Sequence, residues 1–216
     1  MKLVLHSYWR SSASHRVRIA LHHKQLAFEY VAVNIVKRDQ FADAYRTKNP
    51  MSQVPTLQLT EADGTVHTLT QSLPIIELLD ERFPAIPLLP KDPYQRAAAR
   101  ALAELINSGI QPLQNLTVTN AIKELGGDVT VWTKRFIEAG LAAFAQAAAE
   151  TTGAYCVGDE VSIADCCLVP QLASARRFGV ELARHERLLR IEQRCLALPG
   201  FKNAAPDQQP DAVKQS

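Results

Sequence analysis

The sequence lacks any run approaching the ~20 apolar residues needed to span a bilayer. Its opening, Met1-Lys2-Leu3-Val4-Leu5-His6, has no apolar core of signal-peptide length. A cytosolic protein is expected, with no membrane partner. It also lacks an excess of charge. Lys and Arg number 24 against 22 Asp and Glu, a formal net charge of +2, and the basic residues are scattered rather than striped. Neither nucleic acid nor an anionic surface is therefore expected as a partner. Cysteine is scarce: Cys156, Cys166, Cys167 and Cys195 form no C-x-x-C pair, which argues against disulfide, redox-motif and metal roles. Adjacent His22 and His23 cannot face one metal from a regular helix, so no metal is expected. What is present is 216 residues, 47% of them hydrophobic, enough for one large domain or two modest ones.

Apolar Leu3 to Leu5 predicts a strand, residues 14–24 a helix, and alternating Phe28 to Val33 a second strand, making a β-α-β unit with parallel strands. Phe41 to Thr47 predicts a weak helix. In Val54-Pro55-Thr56-Leu57-Gln58-Leu59 the proline belongs at a strand start or edge, since it cannot donate to a central ladder. A cis Val54–Pro55 bond would leave the Val54 backbone free to pair with an extended ligand. Sequence alone favours the ordinary trans form. Glu61-Ala62-Asp63-Gly64 is a hairpin signal joining residues 56–59 to 66–69. Ser72 then reads as the N-cap of a helix carrying Leu73, Ile75, Ile76, Leu78 and Leu79.

Residues 1–82 thus form one βαβαββα domain. Four prolines in residues 83–93 mark a linker. Beyond it, residues 94–201 are helical, with helices expected over 94–108, over 110–125 with an early interruption at Pro112, and over 131–150, one starting at Ser162, and a last one over 187–197. Ser162 and Asp165 have capping-box spacing ahead of a buried apolar run, a structural feature to which no chemistry is assigned. The tail from Lys202 is polar and is expected to be mobile.

The candidate site is Arg10-Ser11-Ser12-Ala13-Ser14-His15-Arg16 between the first strand and the first helix. A helix start presents unpaired N–H groups and a partial positive charge, which suits an anion or thiolate. The serines alone read as caps; the rest of the chain changes that.

The run from Arg10 to Arg18, together with Asn49-Pro50-Met51, Gln53-Val54-Pro55, Gln71-Ser72-Leu73, Gly109-Ile110-Gln111-Pro112-Leu113-Gln114-Asn115-Leu116 and Tyr155-Cys156-Val157-Gly158-Asp159-Glu160-Val161, closely resembles the zeta class of glutathione transferases. That class includes the maleylacetoacetate isomerases. The resemblance implies the cytosolic glutathione transferase fold: a thioredoxin-like α/β N-terminal domain and an all-α C-terminal domain. It implies glutathione as cofactor, a dicarboxylate substrate and a homodimer. Ser11, with Ser12 beside it, matches the thiolate-stabilising serine. The loop from Ala13 to Arg16, Gln40, the Val54 backbone, Gln71 and Ser72 match glutathione contacts; Gln111, Asn115, Leu116 and Thr117 match positions where the helical domain reaches the site. Arg10 and Arg177 resemble anchors for the dicarboxylate, with Arg176 able to substitute for Arg177. Ala13 departs from the family, which carries cysteine there. The implied activity is isomerisation of maleylacetoacetate; maleylpyruvate isomerase and a general transferase acting on α-halo acids are the alternatives.

Overall fold

Leu3 and Leu5 lie on the buried face of β1 (Lys2–Ser7), the strand on which the first half of the chain is assembled. The structure, a computed structural model, describes residues 1–213. β1 pairs in parallel with β2 (Glu29–Ala32) and antiparallel with β3 (Thr56–Thr60), and β4 (Val66–Thr70) forms the far edge, giving the order β2-β1-β3-β4. The parallel β1/β2 pair requires a crossover, and α1 (Ser12–His23) supplies it. Its Val17, Ile19, Ala20 and Leu21 are fully buried, as are Leu57 of β3 and Ile75, Ile76 and Leu79 of α3 (Ser72–Arg82), which packs on α1. Each such Val, Leu or Ile side chain contributes about 1.5–3 kcal/mol on removal from water. The weak helix expected over 41–47 is a 3-10 turn (Asp39–Phe41) and one turn of α2 (Asp43–Arg46).

The chain divides into two units, Met1–Pro87 with the chain from Leu198 onward, and Leu88–Ala197. The expectation of a mobile tail from Lys202 is therefore corrected for residues 202–213; residues 214–216 lie outside the described residues. α9 (Pro199–Ala204) packs on α1, with Phe201 and Ala204 fully buried. Gly200 makes the close approach possible, because a Cβ there would fall 2.7 Å from the Cα of His23.

The second unit is helical: α4 (Pro93–Asn107), α5 (Leu116–Glu124), α6 (Val129–Ala147), α7 (Ile163–Arg177) and α8 (Glu186–Ala197). α7 packs against α4 and α8. The helix expected over 110–125, interrupted early at Pro112, is a 3-10 turn (Gln111–Gln114) followed by α5, because the Asn115 side chain accepts the Leu116 N–H and starts a new helix. Ser162 and Asp165 form the capping box of α7; buried Asp165 also accepts the Cys156 N–H at 2.9 Å. Burial raises the Asp165 pKa, and these hydrogen bonds oppose that rise. Among the described residues no helix is long and apolar enough to cross a membrane.

Candidate active site

Ser11 is the N-cap of α1, its extended backbone placing the side chain beside the first turn. The Ser11 Oγ accepts the Ser14 N–H at 3.2 Å. A hydroxyl that accepts in this way keeps its own proton for another acceptor. Ser12 and Ala13, the first two helical residues, are half-buried like Ser11, and Arg10 is exposed, its guanidinium 5.5 Å from the Trp9 ring centroid. Ser14, His15 and Arg16 are buried. His15 is held well below the usual histidine range, chiefly by burial and secondarily by Arg18, and it is poorly suited to act as a base.

A second helix start lies in the same unit. Gln71 caps α3 from a left-handed conformation, φ +68°, and Ser72 is its first helical residue, which corrects the expectation that Ser72 is the cap. The Ser72 Oγ instead accepts from Arg16 Nη1 at 3.1 Å, joining the first turns of α1 and α3. Val54 precedes β3 through a cis bond to Pro55, the form that sequence alone disfavours. The Gln53 carbonyl beside it accepts both the Tyr45 hydroxyl (2.6 Å) and Asn49 Nδ2 (2.7 Å). Gln40 is buried; its Nε2 donates to the Ile35 carbonyl while its Oε1 has no hydrogen-bond partner.

In the helical unit, Gln111 opens the 3-10 turn, Asn115 caps α5, and Leu116 and Thr117 occupy its exposed first turn. Arg176 and Arg177 end α7. The Arg176 guanidinium is bound in bidentate fashion by buried Glu192, Nη1 to Oε1 at 2.6 Å and Nη2 to Oε2, and this pairing raises its pKa further. A fork occupied by one carboxylate does not suit a second, so Arg176 is no substitute for Arg177. Arg177 is exposed, its guanidinium 4.8 Å from the Phe178 ring centroid.

Residues 10–82 match the family model for the glutathione S-transferase N-terminal domain. The chain is 46% identical over 213 residues to the maleylacetoacetate isomerase of Mus musculus, covering 97% of this chain and 95% of that protein. The chain belongs to the zeta-class glutathione transferase and maleylacetoacetate isomerase family. The maleylacetoacetate isomerase of Anaeromyxobacter dehalogenans with glutathione in its active site superposes with a TM-score of 0.91 at 47% identity, each chain 98% covered. The same protein holding dicarboxyethyl glutathione and citrate gives a TM-score of 0.90 at 46% identity with 98% of both chains covered. A bacterial zeta-class maleyl pyruvate isomerase gives 0.90 at 38% identity, covering 97% of this chain and all of that one.

Within this zeta-class fold, reasoning from sequence missed the residues that hold the site's loops. Arg18 is fully buried and donates to the carbonyls of Tyr8 (3.3 Å) and Trp9 (2.9 Å) just before Arg10 and Ser11. Tyr45 and Asn49 do the same for Gln53. One signal was available: Arg16 and Arg18 interrupt an otherwise apolar helix pattern, and a cation on a buried face needs acceptors.

Proposed function

We propose that this zeta-class protein catalyses the glutathione-dependent cis-trans isomerisation of maleylacetoacetate to fumarylacetoacetate. The observation that carries the proposal is near-full-length identity of 46–47% to maleylacetoacetate isomerases, one of them with glutathione in its active site. The residues present fit that tripeptide. Ser11 and Ser72 each accept from a neighbour and so keep a hydroxyl proton to donate, and the buried, unpartnered Gln40 Oε1 suits an N–H donor. Ser11, Ser12 and the first turn of α1 from Ala13 to Arg16, with Gln40, the Val54 backbone, Gln71 and Ser72, would hold it.

Glutathione supplies, when bound, a sulfur nucleophile able to add reversibly to a cis double bond and so permit its rotation. The protein's task is to keep that sulfur ionised. A thiol of pKa ~8.5 is only about 3% thiolate at pH 7, and lowering it by ~2 units takes roughly 2.7 kcal/mol. A Ser11 hydrogen bond to a charged acceptor, about 1.5–3 kcal/mol, and the α1 N-terminus, about 0.3–1 kcal/mol, together supply it. No side-chain base is needed. Arg10 and Arg177 hold the substrate carboxylates, since guanidinium forks match carboxylates and stay charged. Ala13, lacking a thiol, leaves the sulfur chemistry to glutathione alone. We further propose that the protein is cytosolic and a homodimer, which sedimentation at assay concentration tests.

Likeness to a maleyl pyruvate isomerase supports a second reading, isomerisation of maleylpyruvate. Comparing both substrates, with and without glutathione, decides between them. Higher kcat/KM for maleylacetoacetate and none without glutathione is expected. A preference for maleylpyruvate, or turnover of chloroacetates exceeding either, would overturn the assignment.

A further inference from the structure

The far end of the chain returns to the loop that carries Ser11. Asp211 accepts the Trp9 N–H on Oδ2 at 3.1 Å and the Tyr30 hydroxyl on Oδ1 at 2.6 Å. Arg18 takes the other side of the same peptide, donating from Nη1 to the Tyr8 carbonyl at 3.3 Å, and it also reaches the next peptide, donating from Nη2 to the Trp9 carbonyl at 2.9 Å, while Nη1 donates to Ser7 Oγ at 3.1 Å. Its Nε donates to the carbonyl of Ala204, at the end of α9. The Tyr8 carbonyl also accepts the Ser11 N–H at 3.0 Å. The Trp9 backbone is thus fixed at both its N–H and its carbonyl, two residues before Ser11, and one of the two holds comes from the C-terminal segment.

These contacts exceed what docking of the segment requires. α9 is already anchored by buried Phe201 and Ala204 and by the close approach of Gly200 to His23, none of which involves Asp211. What Asp211 adds is a charged acceptor on the loop itself. Burial lowers the Arg18 pKa to about 10 while Tyr30 and Asp211 raise it, so the anionic partner also favours the charged form of the clamp.

We propose that Asp211 is a positioning residue for the isomerisation: by holding the Trp9 peptide against Arg18, it fixes where the Ser11 hydroxyl stands at the start of α1. This rests on Ser11 being the donor to the glutathione sulfur. A hydroxyl displaced by a few tenths of an ångström makes a weaker hydrogen bond, and the loss appears as a higher thiol pKa.

The test compares wild type, Asp211→Ala, Asp211→Asn, Tyr30→Phe and a chain ending at Gln209, each loaded with glutathione. The bound thiol is titrated by its ultraviolet thiolate absorbance, with kcat, KM and thermal midpoint measured on the same samples. Asp211→Ala and the shortened chain are expected to raise the bound-thiol pKa by about one unit and lower kcat at neutral pH about threefold. Activity should return at higher pH, with KM for the substrate little changed. Asp211→Asn, which keeps an oxygen acceptor for the Trp9 N–H, should restore most of the loss. Tyr30→Phe, which removes one of the two bonds to Asp211, should give a smaller shift of the same sign, and it serves if the larger deletions do not fold. Variants that lose only thermal stability, with wild-type thiol pKa and kcat, would overturn the proposal. Ser11→Ala separates the two levels: if it leaves the thiol pKa unchanged, the assignment of Ser11 itself falls; if it raises the pKa while no Asp211 or Tyr30 change does, only the role of Asp211 falls.

Discussion

Replacing Ser11 removes two interactions whose costs can be told apart. The first is the cap: Ser11 Oγ accepts the Ser14 N–H at 3.2 Å, and losing an N-cap oxygen costs about 1 kcal/mol of stability. For a chain of this size that corresponds to a fall of about 2–4 °C in the thermal midpoint. The second is the proposed donation to the glutathione sulfur, a bond to a charged acceptor of about 1.5–3 kcal/mol. At 1.36 kcal/mol per pKa unit, its loss raises the bound-thiol pKa by about 1–2 units from about 6.5 and cuts the thiolate present at pH 7 roughly 3- to 25-fold. Ser11→Ala should therefore be slightly less stable and much slower, with a kcat profile displaced to higher pH. Ser11→Asp is the decisive companion. Its carboxylate can still cap α1 but has no proton to give, so stability should return while activity does not. Ser11→Asn, which can cap and also donate, should recover part of both. The measurement is kcat against pH alongside thermal unfolding for the four proteins. An Asp variant with wild-type turnover, or an Ala variant with an unmoved pH profile, would refute the assignment and leave Ser11 as a cap only.

Arg10→Ala and Arg177→Ala should each raise KM for the dicarboxylate by about tenfold or more while leaving glutathione affinity near wild type, because each removes one guanidinium–carboxylate contact of about 1.5–3 kcal/mol. Steady-state kinetics in both substrates checks this, and an unchanged dicarboxylate KM removes that arginine from the site. Stability should also depend on pH through His15. Its folded pKa lies well below the 6.5 of the unfolded chain, so below about pH 6.5 the unfolded state binds the proton and the folded state does not. Stability then falls with falling pH by up to about 1.4 kcal/mol per unit, until the depressed folded pKa is reached. Denaturant unfolding between pH 7 and 5 should show a shallower slope in His15→Leu; an equal slope would place the effect elsewhere.

The first unit was legible because its signals are local. An apolar run marked β1, alternation β2 and Asp63-Gly64 the hairpin; in the second unit the Ser162/Asp165 spacing likewise marked the start of α7. Signals that depend on a neighbour were misread. Ser72 looks like a cap, but Gln71 takes that position at positive φ, and Ser72 is turned over to Arg16 from α1. Pro112 marked an early interruption in Ile110 to Leu125, but not that Asn115 restarts the helix there. The segment after Leu198 is too polar to predict as packed, and only its placement on α1 shows that Phe201, Ala204 and Asp211 carry the contacts. Arg18 and Asp211 grip one peptide from distant points in the sequence, so neither could be read from local pattern. Arg176 beside Arg177 looked interchangeable with it until Glu192 was seen to occupy its guanidinium.

Ionisation of the glutathione sulfur at the start of α1 is most directly tested by titrating the tripeptide bound to the wild-type protein and following thiolate absorbance against pH. A midpoint about 2 units below that of the free thiol is expected from the Ser11 bond and the helix terminus together. A bound thiol that titrates with the midpoint of free glutathione would contradict it.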